Sequence, residues 1–298
     1  MSKLKVMAIY AHPADPVTDC GGAIAMHAEN GDETYALVLT HGGRKHPNYF
    51  VKEWRKEHPN EKIINMNKQD VIDFKKTECL RACKILGYTG VTLLGHDDDC
   101  LLMTNDIIEE VAAEIAKVCP DIIIMDYPYP HTLDAHSLTS QIAFKALERV
   151  GLCLQNMDDG IAGNTDSFQY HPKAIFFTKV PVTVSDALIT DGRRNDVFID
   201  FTPVVEKKIR AMDQFISQSY HNDFARKFVE AHDGAFGRAG NVSFAEGFSR
   251  YYNETFKLLP VSEYAMGYDD IMTHEEYSKI DIRKLYPYDE NYYDKNFK

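Results

Sequence analysis

The chain is predicted to be an α/β protein: a doubly wound, mostly parallel sheet followed by an irregular C-terminal elaboration. Three observations predict this. Short apolar runs alternate with helix-periodic segments through the first half of the sequence. The runs are continuous and rich in β-branched residues, as strands buried on both faces must be. Histidine and aspartate recur just after each run, at the edge where such sheets bind ligands.

The elements follow in order. KVMAIYA (5–11) is a first strand ending in a polar loop, and GGAIAMHAEN (21–30) is a helix closed by Gly31. ETYALVLT (33–40) is a second strand. A charged stretch, 41–67, precedes a long helix over 68–86 that Gly87 stops. VTLLGH (91–96) is a third strand, and a helix over 104–118 starts from Thr104 or Asn105 as cap. DIIIMDY (121–127) is a fourth strand, and 136–149 has helical periodicity. Beyond it, 174–184 and 197–201 read as strands, and 204–218 and 222–231 as helices. GAFGRAGN (234–241) reads as a glycine-rich loop that approaches a ligand or a subunit neighbour. The tail, 262–298, reads as an extended arm over this subunit or another, so a homo-oligomer is expected. No internal repeat is visible.

With 298 residues, 44% hydrophobic and 26% charged, the composition is globular. It fits one catalytic domain over 1–260 with an arm over 261–298. A net charge of −12 argues against nucleic acid and against an anionic membrane surface, both of which select a positive field. No apolar run approaches the ~20 residues that cross a bilayer. MSKLKVMAIYAH runs directly into a strand rather than forming a secretory signal. Cys20, Cys79, Cys83, Cys100, Cys119 and Cys153 are scattered without a CxxC pair, and read as reduced thiols in a cytoplasmic protein.

The chemistry-bearing pattern is AHPADP (11–16). His12 and Asp15 sit in a turn after a buried strand, three residues apart, and imidazole and carboxylate are suitable ligands for a zinc-like ion. An aspartate there can equally cap a helix. A third ligand must come from another strand end, and PHTLDAH (130–136) offers His136 or His131. Gly21 and Gly22 permit close helix–sheet packing but form no GxGxxG nucleotide fingerprint. Arg44, Lys45, Lys52, Arg55 and Lys56 form a basic cluster suited to carboxylates, or else a solvated face interleaved with Glu53 and Glu57. Arg238 is a second carboxylate candidate.

AIYAHPADPVTDCGGAIAMHAENGDETYALVLTHG resembles the N-terminal signature of the LmbE/PIG-L superfamily, AHPDDE followed by a GG helix, and DAHS resembles its HPDH element. The resemblance covers roughly the first half of the chain. It implies a Rossmann-like LmbE/PIG-L fold, with one Zn2+ held by His12, Asp15 and His136. Two departures follow. Ala14 stands where deacetylases of the superfamily place their general base, and Ala135 replaces an acid next to His136. A methyl group takes no proton, so a conventional N-deacetylase lacks its base.

With Ala14 the chain resembles one branch of that superfamily, the 4-oxalomesaconate hydratases, which carry A-H-x-A-D followed by GGAIALHAE. GGAIAMHAE (21–29), KEWRKE (52–57), VIDFKKTECLRACKILG (71–87) and FAEGF (244–248) resemble that branch as well. The implied activity is a zinc-dependent lyase of aromatic-acid degradation, hydrating a small anionic keto- or hydroxy-polycarboxylate. The alternatives are an N-acetylglucosaminyl deacetylase with another base, or a degenerate metal-binding homologue. The branch carries a GER-like motif and a later histidine where this chain has GGRKHP (42–47) and TKVPVT (178–183). The acid/base candidates are therefore His131 first, then His46, Asp134 and His41. Arg44, Lys45, Arg55 and Arg238 are the expected substrate-binding residues.

Overall fold

A computed structural model describes residues 3–44, 48–128, 135–153, 170–179 and 194–266. One mixed sheet has the order β3-β2-β1-β4-β5-β7-β6. Its strands are β1 Lys5–Tyr10, β2 Glu33–Thr40, β3 Gly90–His96, β4 Ile122–Asp126, β5 Ala174–Thr178, β6 Val197–Asp200 and β7 Ala245–Arg250. The first five are parallel. β7 runs antiparallel between β5 and β6. The helices are α1 Asp15–Thr18, α2 Gly21–Glu29, α3 Asn48–Trp54, α4 Glu61–Ile64, α5 Lys68–Leu86, α6 Asn105–Val118, α7 Ala135–Cys153, α8 Val205–Met212, α9 Asp223–Phe228, α10 Gly234–Gly240 and α11 Glu263–Met266.

The period of two along β1 builds two cores. Val6, Ala8 and Tyr10 face α2, α5 and α8, while Met7 and Ile9 face α6 and α7. Both faces are covered, so the strand is apolar throughout. α5 begins with a capping box between Asn67 and Asp70 and ends at Gly87, whose φ of 90° only glycine adopts freely. Thr104 is the cap of α6, its side chain accepting from the Ile107 N–H.

Sequence and structure differ where tertiary packing overrides composition. The charged stretch 41–67 contains two short helices, α3 and α4. The segment 204–218 is helical only over Val205–Met212, and its remainder is a chain of tight turns. The glycine-rich segment is not a ligand-approaching loop: it is helix α10. Its glycines admit neighbouring backbone, since a Cβ on Gly237 would lie 2.4 Å from the Ser243 carbonyl oxygen. β7, which the sequence reading did not identify, closes the sheet. Its Glu246 accepts from the N–H groups of Gly22 and Ala23 at 2.8 and 2.7 Å, a carboxylate at the start of α2. A Cβ on Gly22 would meet the Phe201 ring at 2.3 Å, which is why the helix opens on glycine.

Among the described residues no helix is long and apolar enough to cross a membrane. Of the arm, the described part through Met266 is exposed and touches down through Tyr264, whose hydroxyl donates to Asp200 at 2.8 Å.

Candidate metal centre

β1 is flanked by β2 on one side and β4 on the other, so the chain reverses its direction of winding there. The carboxyl ends of β1 and β4 open a crevice, the place where doubly wound sheets bind ligands. His12 and Asp15 follow β1. Pro16 lies in the first turn of α1, and Asp15 Oδ2 accepts from the His12 N–H at 2.8 Å, closing the turn that carries both side chains. α1 has no side-chain cap, so Asp15 closes this turn and lines the crevice without capping the helix. His136 enters from the start of α7.

Ligand atoms of His12, Asp15 and His136 lie within 4.8 Å of one another. The His12 and His136 rings are 4.7 Å apart, edge to face. Asp15 Oδ2 is 3.3 Å from His12 Nδ1 and 3.4 Å from His136 Nδ1. Among the described residues, His12 Nε2 is buried without a hydrogen-bond partner. A buried orphan nitrogen beside a carboxylate and a second imidazole is a donor set that fits a divalent cation.

Around this trio stand residues that the sequence reading missed. Asp126, the last residue of β4, places Oδ2 2.8 Å from His136 Nδ1 and accepts from Thr178 at its other oxygen. Asp19, one helical turn beyond Asp15, and Lys179, just after β5, pair at 3.0 Å. Lys179 Nζ also lies 3.0 Å from Asp126 Oδ2 and 2.7 Å from His136 Nδ1. The only signal for these residues was position: each follows a strand end or repeats at helical spacing.

The charges set one another. Burial works against ionisation of Asp15, yet Lys179, His136 and His12 together hold its carboxyl well below the usual range. Burial also disfavours His136 as a cation, but Asp15 and Asp126 outweigh it and push the ring up to about 9. Asp19 is pushed up to about 6 by burial and by repulsion from Asp126 and Asp15, against the pull of Lys179. Lys179, buried on one side, is held charged by Asp126, Asp15 and Asp19.

These groups open into a cleft of about 230 Å³ whose lining includes Lys75 as well as Lys179, with Tyr220, Phe224 and Phe228 on one wall. Burial brings Lys75 down to about 8, with Glu78, Asp98 and Asp15 opposing the shift. The three rings form a ladder, Tyr220 on Phe224 at 4.8 Å and Phe224 on Phe228 at 6.1 Å.

The remaining expected site residues stand elsewhere. His41 is buried outside the cleft lining, with Nδ1 2.9 Å from Asp98 and 2.9 Å from the Gly43 nitrogen. With Asp97 and Asp98 it makes a second group of metal-ligand type, but these carboxylates already accept from Arg44 and Lys68. Arg44 is bound to Asp97 rather than presented to the cleft. Arg55 and Arg238 are exposed on α3's C-terminal side and on α10, and neither lines the cleft. Lys45, His46, His131 and Asp134 lie outside the described residues.

Residues 7–147 match the family GlcNAc-PI de-N-acetylase (PIG-L). The chain is 30% identical over 135 residues to a 4-oxalmesaconate hydratase of Pseudomonas putida, spanning 44% of this chain and 48%, about half, of that relative. Among solved structures it is similar to GalB, the 4-carboxy-2-hydroxymuconate hydratase of P. putida KT2440, with a TM-score of 0.67 and 22% identity over 86% of this chain and 100% of that one. It is also similar to the N,N'-diacetylchitobiose deacetylase of Pyrococcus horikoshii, with a TM-score of 0.63 and 20% identity over 84% of each chain. At these identities the structural likenesses establish the fold. Residues 7–147, which carry the motifs, thus match the PIG-L family.

Proposed function

We propose that this chain is a zinc-dependent hydro-lyase that adds water to a small unsaturated keto- or hydroxy-polycarboxylate. The observation that carries the proposal is a single cleft in which His12, Asp15 and His136 face Lys75 and Lys179. A divalent ion held by the three ligands supplies a Lewis acid able to polarise a 2-keto or enol carboxylate. The chain's own residues do the rest. Lys75 and Lys179 bind substrate carboxylates, replacing the arginines that point elsewhere. The ladder of Tyr220, Phe224 and Phe228 receives a flat conjugated skeleton and keeps bulk water from one side.

Asp19 lines the same cleft, and a carboxyl near 6 is poised to hold or release a proton at neutral pH. It stands in for the base that Ala14 does not provide. Similarity to the P. putida hydratase over 135 residues supports hydration over deacetylation. The likeness to a deacetylase keeps a second reading, an N-deacetylase using Asp19 as base.

Purified protein loaded with Zn2+ separates the two. Incubated with 4-oxalomesaconate it is expected to bleach the conjugated absorbance, and with N-acetylglucosaminyl substrates to release no acetate. Acetate release without bleaching would overturn the hydratase. Wild-type protein that retains no metal under conditions where it stays folded would overturn the metal centre itself.

A further inference from the structure

Lys179 is not explained by carboxylate binding alone. Its backbone φ is 58°, a left-handed conformation that a lysine rarely adopts. Such strain persists where the surrounding structure enforces it, often at functional sites. Here it turns the side chain back over the sheet edge, where Nζ meets Asp19, Asp126 and His136 at 3.0, 3.0 and 2.7 Å. The side chain remains 36% exposed, so it has room to move into the cleft.

The contact with His136 conflicts with another. Nδ1 of an imidazole carries either a hydrogen or a lone pair. With a hydrogen it donates to Asp126 Oδ2, 2.8 Å away, and leaves Nε2 able to ligate a cation. With a lone pair it accepts from Lys179, 2.7 Å away, and Nε2 keeps the hydrogen. The two bonds exclude each other at a neutral ring. A charged ring donates from both nitrogens, so the ammonium then abuts it without bonding; in either state the contact with Lys179 works against a cation at His136. The ammonium also opposes a second positive charge in the same partly dry site.

We propose that Lys179 is a built-in competitor of the divalent metal: it occupies the anionic face made by Asp19, Asp126 and His136, and withdraws from His136 when the ion binds. It keeps the centre assembled without metal and weakens the metal's hold. Once withdrawn, the same ammonium is free for a substrate carboxylate. The inference rests on the metal-centre reading given above.

The test is Zn2+ affinity, measured on the metal-stripped full chain by competition with a chromophoric chelator. Lys179→Met is expected to bind at least about tenfold more tightly than wild type, because a positive charge next to the ligands is gone. Lys179→Arg, which keeps the charge, is expected to stay within about threefold of wild type. Melting without metal supplies a second readout: Lys179→Met should melt below wild type when stripped, and the two should converge when saturated. Lys179→Gln replaces the methionine variant if circular dichroism shows that variant unfolded. Equal or weaker binding by the neutral variants, beside a wild type that binds, would overturn the competitor role and leave the metal centre standing. So would arginine behaving like methionine. Absence of binding in wild type and variants alike would bring down both readings.

Discussion

Lys208 and Lys179 are each clasped between carboxylates, and they differ in what surrounds them. Lys208 is entirely buried, 2.7 Å from Asp233 and 2.7 Å from Glu246, with its ammonium 5.0 Å from the centre of the Phe201 ring. Glu246 spends its other contacts on the backbone of α2. Every group there faces protein, and the network ties the C-terminal strand β7 to the first half of the sheet. Lys179 has carboxylate partners at similar distances, but its cluster borders a cleft and includes an imidazole claimed by two neighbours. The same residue types therefore make a structural clamp in one region and a cleft-lining cluster in the other. Access to the cleft and competition for a partner separate them, whereas ion-pair distance does not.

The comparison is most directly broken by stability measurements. Lys208→Met strands two buried carboxylates and is expected to cost about 3–5 kcal/mol in urea denaturation, whereas Lys179→Met, screened by the cleft, should cost about 1 kcal/mol or less. Equal losses would erase the distinction. A smaller effect is expected from pH. His221, packed in the C-terminal region, is brought down to about 4 by burial and by nearby Lys52 and Arg226. It stays neutral when folded and takes a proton near 6.5 when unfolded. Its contribution is thus complete above that pH and fades as pH falls toward 4, by up to about 3 kcal/mol. Urea midpoints should fall more steeply over that window in wild type than in His221→Gln; parallel curves would refute the assignment.

Gly22→Ala comes next. Its methyl group enters the Phe201 ring, and a loss of about 1–3 kcal/mol is expected from calorimetry, because overpacking forces neighbours off their rotamers. Least of all is expected of Arg238→Ala. That side chain is exposed and away from the cleft, so stability should stay within about 0.5 kcal/mol and turnover should not change. A lost activity would return the glycine-rich segment to the site.

Much of the first half was legible before any coordinates. Runs such as KVMAIY and IIIMD announce buried parallel strands, and Thr104 and Gly87 mark helix ends by local hydrogen bonding and backbone freedom. His12 and Asp15 stood out because they are three residues apart in one turn. GAFGRAGN misled, since glycine reads as loop until a neighbouring backbone is seen to require its missing side chain. The alternation in AEGFSR is broken by small and charged residues, so β7 showed only as the strand that completes the sheet.

The sequence by itself determined the class of fold, the sheet edge where histidine and aspartate gather, and the His12–Asp15 pair within one turn. These depend on periodicity and on contacts between residues close along the chain. Only the tertiary structure decided that Asp126 and Lys179 converge on His136, and that Arg44 and Arg238 do not face the cleft. Convergence depends on strand order, which brings the ends of β1, β4 and β5 together from Tyr10, Asp126 and Thr178. No local pattern encodes which strand ends become neighbours, because that is settled by how both faces of the whole sheet are covered at once.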